Sequence, residues 1–184
     1  MKSLFTIIIV ITLVSVVWFI KQTNNSPQVV KETSFPVISR EDILNATDLK
    51  AGVKLAVQQV NDQAISEWLE KASDLAEEAG LPAEDISYLQ SNLAKKFVVF
   101  QAKRSLFNDA VEQAYYAIED ITPIKEQYPE AQDLFVKVDA LLKKRNKLIE
   151  QIAKELAGDK PVDDEFLQAA QQQWKQQVAN RQKQ

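Results

Sequence analysis

Carboxylates are the main side chains of this sequence that could take part in acid–base or metal chemistry, because the chain has no histidine and no cysteine. The commonest general base, the commonest transition-metal ligand and the thiolate nucleophile are therefore missing. Glu77-Glu78 and Glu119-Asp120 show no metal-ligand spacing, and Asp163-Asp164-Glu165 fits the acidic first turn of a helix better than a cation site. Catalysis by carboxylates alone stays open, but no spacing favours it. We predict no catalytic residue, cofactor or metal site, and no enzyme activity.

One dense basic run, Lys143-Lys144-Arg145-Asn146-Lys147, could bind an anionic partner such as a lipid headgroup or an acidic protein surface. A solvated helix face explains it better, with Asp139–Lys143 and Glu150–Lys154 as pairs four residues apart. Arg145 differs from its neighbours because it interrupts an otherwise apolar near-heptad pattern.

Aromatic side chains are the other candidates for binding, because exposed aromatic residues anchor protein interfaces. Trp68 follows an apolar stripe and is expected in the core. Trp174 lies on a weakly amphipathic segment and could dock onto the chain's own bundle or onto a partner. The predicted partner-binding residues are Tyr115, Tyr116, Arg145 and Trp174.

The first segment of the chain is apolar. No charge interrupts residues 3–20, and eighteen helical residues span about 27 Å, which is enough to cross the apolar layer of a bilayer. The stretch is long for a signal peptide or a core helix, and it ends in bulky Trp18-Phe19-Ile20 with no cleavage pattern after it. We predict an uncleaved signal-anchor at residues 1–21. Its predicted membrane-spanning residues include Leu4, Ile8, Ile11, Val14, Trp18 and Ile20.

The predicted anchor makes the lipid bilayer the first expected partner and the chain a single-pass membrane protein. Only a few basic residues flank the anchor, so flanking charge does not decide its orientation. The short amino-terminal tail and the long carboxy-terminal region favour an exported domain. In a bacterium, that places the domain in the periplasm at the inner membrane. The whole chain has 22 basic and 26 acidic residues, which argues against nucleic acid as a partner.

Beyond the anchor, apolar residues recur every three or four positions and breakers are few, which predicts an all-α protein. We expect a flexible tether at 22–38, a helical-hairpin bundle at 39–158 with coiled-coil character, and a Gln-rich helix or tail at 159–184. Turns are predicted at Asn61-Asp62 and at Phe107-Asn108-Asp109. The helix between Pro82 and Leu106 is expected to be the most buried one, because Phe97-Val98-Val99-Phe100 is apolar on every side.

A weak internal repeat accompanies the two predicted turns. Val60-Asn61-Asp62-Gln63-Ala64-Ile65 recurs as Phe107-Asn108-Asp109-Ala110-Val111, and Ala110, Ala114 and Ala117 then space small residues along one helix. That spacing resembles the second helix of a tetratricopeptide (TPR) hairpin over about residues 94–131. The first helix departs from the family pattern and the repeat period is too long. The resemblance implies a groove that binds a peptide or protein.

These features predict a membrane-anchored, non-catalytic helical module for protein–protein interaction or assembly. A helical bundle outside the cytoplasm that senses a small ligand and acts through a partner is the alternative. Self-association through the long helix predicted at 130–157 is a third possibility.

Overall fold

Eight α-helices and one 3-10 helix make up the regular structure of residues 38–181, which are the residues that the computed structural model describes. No strand occurs in this range, so the predicted all-α class is confirmed. None of these helices is both long and apolar enough to span a membrane. The predicted anchor at 1–21 and nearly all of the predicted tether lie outside the described residues.

The helices follow one another through short connections. In chain order they are α1 (Arg40–Leu44), α2 (Thr47–Gln58), α3 (Asp62–Glu78), α4 (Ala83–Leu89), α5 (Asn92–Ala117), α6 (Thr122–Gln127), the 3-10 helix (Pro129–Leu134), α7 (Phe135–Ala157) and α8 (Asp164–Arg181).

Polar side chains fix where three of these helices begin. Ser39 and Asp42 form a reciprocal capping box, which satisfies backbone N–H groups at the start of α1 that have no partner inside the helix. The side chain of Asn61 accepts from the Ala64 N–H at the start of α3. Ser91 accepts in the same way from Ala94 N–H, and α5 begins there.

The first core lies between helices α1 to α4 and one face of α5. Its buried residues on α5 are Ala94, Val98 and Ala102, and these three recur every fourth position along the helix. The helices that cover them contribute buried leucine, isoleucine, valine and alanine side chains, such as Val53 and Leu89. Small residues on α5 let α2 pack close to it.

A close contact between α2 and α3 explains why a glycine occupies the middle of α2. A methyl group added to Gly52 would overlap the indole ring of Trp68. Trp68 is half-buried and packs against the first core, as its place on an apolar stripe predicts. Glycine costs helix stability relative to alanine, so its presence here is accounted for by the indole ring.

The second half of α5 buries a different face in a second core. Phe107 is fully buried, and with Val111 it packs against Ala131, Phe135 and Val138. The rings of Phe107 and Phe135 have centroids 5.6 Å apart. Helix α5 therefore belongs to both cores, and it is the element around which the described residues are organised.

A third apolar cluster holds α7 against α8. Ile149, Ala153 and Ala170 are its buried members, and Phe166 and Trp174 pack beside them.

Beyond α5, the Ile118 backbone adopts the left-handed conformation that ends the helix. The chain then passes through α6 and the 3-10 helix before α7 begins.

Two predictions about α5 are wrong, namely the turn after Leu106 and the start of this helix near Pro82. The predicted turn at Phe107-Asn108-Asp109 lies inside the helix, because Phe107 is a core residue rather than part of a connection. The break occurs instead at Gln90-Ser91, where Ser91 caps the new helix. The second copy of the internal repeat thus lies within one helix and does not separate two helices.

The expected burial of the whole segment 97–100 is also wrong. Val98 is buried and Val99 half-buried, whereas Phe97 is 36% exposed and Phe100 is 41% exposed. The neighbouring helices cover one side of α5 at this level and leave the side that carries both phenylalanines open.

Candidate functional site

The four residues predicted to bind a partner lie together where α5, α7 and α8 meet. The ring of Tyr115 contacts that of Tyr116 at 5.4 Å and that of Trp174 at 5.6 Å between centroids, both edge to face. The Arg145 guanidinium lies 5.8 Å from the centroid of Tyr115. Sequence reasoning found these residues separately, and the fold joins them in one cluster.

Arg145 holds that cluster together from inside. It is only 5% exposed, and its Nη1 donates to the backbone oxygens of Ala114 and Tyr115, each at 3.2 Å. These carbonyls belong to the last turn of α5, where a cation is stabilised by the helix dipole. Burial lowers the pKa of Arg145, with Tyr115 opposing that shift. The guanidinium of Arg145 therefore joins α7 to α5, and its burial argues against the partner contact predicted for it.

The rest of the basic run behaves as a solvated face. Lys143, Lys144 and Lys147 are exposed. The predicted pair between Asp139 and Lys143 is not formed, because Asp139 lies 2.6 Å from Lys125 of α6 instead. The run thus anchors the bundle through one buried arginine and presents the lysines to solvent.

Trp174 docks onto the chain's own bundle, which was one of the two roles expected for it. The indole is half-buried in the third cluster and against Tyr115, and its Nε1 is buried without a hydrogen-bond partner in the described residues. Tyr115 and Tyr116 are half-buried as well. This aromatic cluster mainly closes the carboxy-terminal part of the bundle.

A second surface, which the sequence did not single out, lies on the first half of α5. Leu93, Phe97 and Phe100 are 62%, 36% and 41% exposed, and they follow one another at steps of four and three residues. We call these three side chains the open face of α5. Their spacing is typical of a helix seam that packs against another helix. The signal was present in the sequence, but the apolar residues on the other side of α5 concealed it.

A groove of about 540 Å³ runs beside the open face, between α2 and α5. Phe97 forms part of its wall, Val53 and Val98 contribute apolar surface, and Lys50 and Arg104 contribute polar surface. The groove and the open face share Phe97, so together they form one continuous candidate binding surface. We call this combination the α5 surface.

Ion pairs mark the end of the α5 surface nearest the 3-10 helix. Lys103 Nζ lies 2.5 Å from Glu130 Oε1, and Arg104 Nη2 donates to Asp133 Oδ2 at 3.0 Å. Burial is the largest single influence on the pKa of Glu130 and raises it, but the hydrogen bond and charge of Lys103, together with a backbone hydrogen bond, lower the pKa overall. The hydrogen bond from Arg104 lowers the pKa of Asp133. Both carboxylates are therefore held ionised beside the cations of α5.

Helix α7 also leaves apolar side chains exposed. Leu141 is 44% and Leu148 is 47% exposed, seven residues apart on one side of the helix. Lys144 and Lys147 are exposed close to them. This is the part of the predicted near-heptad pattern that the bundle does not cover.

No group of three carboxylates that could hold a metal ion occurs within residues 38–181. Comparison with protein family models, with curated proteins and with solved structures finds no match to this chain.

Proposed function

We propose that this protein is a membrane-tethered, non-catalytic helical module that binds another protein through the α5 surface. The observation that carries the proposal is the exposure of Leu93, Phe97 and Phe100 in a row on one helix. Single exposed apolar residues are ordinary, whereas a contiguous apolar row beside a groove is typical of an interaction site.

The exposed fractions of these side chains set the free energy that a partner would gain by covering them. Complete burial of a leucine or phenylalanine contributes about 1.5–3 kcal/mol. Covering what remains exposed of Leu93, Phe97 and Phe100 would contribute about 2–4 kcal/mol on that scale. That amount supports an interface but does not by itself give tight binding, so we expect the groove and charged groups to add to it.

The tether rests on the sequence of residues 1–21. We propose that this segment anchors the chain in a bacterial inner membrane with the bundle in the periplasm. Protease added to intact spheroplasts tests the topology: an exported bundle is digested without lysis, whereas a cytoplasmic bundle is protected until the membrane is broken.

The groove between α2 and α5 favours a second candidate, a bundle that senses a small ligand and acts through a partner. Its volume of about 540 Å³ is in the range of small-molecule sites. A ligand that binds only the folded protein raises its melting temperature, so a thermal-shift screen distinguishes this candidate.

Affinity capture of the full-length protein after crosslinking in cells tests the leading proposal. We expect one partner protein to be recovered reproducibly in stoichiometric amount from detergent-solubilised membranes. Recovery of the chain alone, together with turnover of a substrate by the purified protein, would contradict it. Recovery only with itself would favour self-association through α7.

A further inference from the structure

Helix α5 carries the same pair of side chains twice along one face. Lys96 and Phe100 are separated by four residues, and so are Lys103 and Phe107, seven residues further on. Seven residues are almost two helical turns, so the two pairs project in nearly the same direction, about 10 Å apart along the axis. The helix therefore offers two similar docking positions in a row.

The second pair is already occupied by the chain itself. Glu130 Oε1 lies 2.5 Å from Lys103 Nζ, and Phe135 contacts the fully buried ring of Phe107 at 5.6 Å between centroids. Glu130 lies in the 3-10 helix and Phe135 is the first residue of α7, so the two occupying groups come from consecutive elements of the chain. An acidic residue followed five positions later by an aromatic residue thus covers this position.

The first pair has the same side chains but no such cover in the described residues. Lys96 is exposed, Phe100 is 41% exposed, and Leu93 extends the apolar row by another seven residues. Arg104 lies 5.4 Å from the Phe100 ring, at the boundary between the two positions. The open position is thus continuous with an interface that the chain demonstrably forms.

We propose that the open position of α5 binds an amphipathic helical segment of another protein, with a carboxylate for Lys96 and an apolar side chain for Phe100. The proposal rests on the proposed function and names the chemistry of its partner. The occupied position provides the template, in which Glu130 and Phe135 supply the two groups. Charge favours an acidic partner at this position. Lys96 forms no ion pair within residues 38–181, whereas the other three basic residues in this part of α5 are each paired with a carboxylate.

A second copy of this chain is a poorer occupant. Its exposed apolar row on α7, Leu141 and Leu148, lies among the exposed lysines Lys144 and Lys147. Those lysines would face Lys96 and be repelled. The segment that does fit, residues 130–135, is already used within each chain.

Site-specific photo-crosslinking in cells tests the proposal on the full chain. The probe is p-benzoylphenylalanine, introduced at Leu93, and at Leu148 of α7 as the matched control, because both positions are exposed. We expect position 93, and not 148, to give an adduct with a partner protein. Mass spectrometry of that adduct should map to an amphipathic helical segment that contains aspartate or glutamate.

Charge reversal then tests the named contact. Lys96→Glu should lower the adduct yield by at least about fivefold, whereas Lys144→Glu, another exposed lysine, should change it less than twofold. Changing the mapped carboxylate of the partner to lysine should restore the yield with Lys96→Glu. Restoration is specific to a charge pair, because general loss of folding would not be corrected by a change in the partner.

Other outcomes overturn the proposal in distinguishable ways. Four results would each contradict an acidic helical partner. They are an adduct with lipid, an adduct with a second copy of this chain, no adduct at position 93, and an adduct yield that Lys96→Glu does not change. If affinity capture still recovers a stoichiometric partner, binding of another protein stands and only the open position of α5 as its site is wrong. If capture also recovers no partner, both proposals fail.

Discussion

Replacing Gly52 by alanine tests whether α2 and α3 approach as closely as the structure describes. The added methyl group would overlap the Trp68 ring, so either the helices separate or the indole leaves its site. Overpacking of this kind costs about 1–3 kcal/mol, because the half-buried indole must shift or the two helices must separate. Alanine recovers about 1 kcal/mol of helix propensity over glycine. We expect a net loss of about 2 kcal/mol.

The Trp68→Ala background separates the contact from the propensity. Without the indole, Gly52→Ala has nothing to overlap, and it should stabilise the protein by up to about 1 kcal/mol. The two substitutions should therefore show a coupling energy of about 3 kcal/mol. Lys50→Ala, on the exposed side of the same helix, should change stability by less than about 0.5 kcal/mol.

Urea unfolding of a fragment covering residues 38–184, followed by far-UV circular dichroism, measures these differences without relying on tryptophan fluorescence. A loss of 2 kcal/mol changes the unfolding constant about thirtyfold. Additive effects of Gly52→Ala and Trp68→Ala, within about 0.5 kcal/mol, would refute the close contact.

Three further predictions concern single contacts in the same fragment. Arg145→Met should cost about 1–3 kcal/mol in urea unfolding, because two carbonyls of α5 lose a charged donor, while Lys144→Met should have little effect. Ser91→Ala should cost about 1 kcal/mol by the same measurement, and a neutral result would contradict its capping role. Asp133 has a pKa lowered by Arg104, so its contribution is present above about pH 4 and is lost as the pH falls through the folded-state pKa. Asp133→Asn should therefore reduce the loss of stability on acidification, and an unchanged pH profile would count against the pair.

The helical class could be predicted because apolar spacing and scarce breakers are local signals. The start of α1 at Ser39 and the end of α3 before Gly80 also depend on neighbouring residues, a capping pair and a glycine. Asn61-Asp62 and Asn108-Asp109 look alike locally, yet only the first pair caps a helix. The difference lies in Phe107, whose burial depends on residues 131–138 and cannot be inferred from its neighbours in sequence.

The candidate site was harder to predict for a related reason. Phe97 and Phe100 belong to a segment that is apolar on every side, and local spacing does not tell which side a neighbouring helix will cover. The grouping of Tyr115, Tyr116, Arg145 and Trp174 likewise depends on how α5, α7 and α8 meet. Residue type identified those four, but only tertiary packing separates the buried arginine from an exposed partner site.

The central claim is that the open face of α5 binds another protein, and quantitative capture of surface variants tests it most directly. Leu93→Asp and Phe100→Asp would be introduced together into the full-length protein, with Leu148→Asp as the exposed control on α7. Crosslinking in cells, capture and mass spectrometry would follow. The account predicts that the double variant loses the stoichiometric partner, at least about tenfold, while the control retains it. Equal recovery of the partner by the unchanged protein, the double variant and the control would contradict the claim.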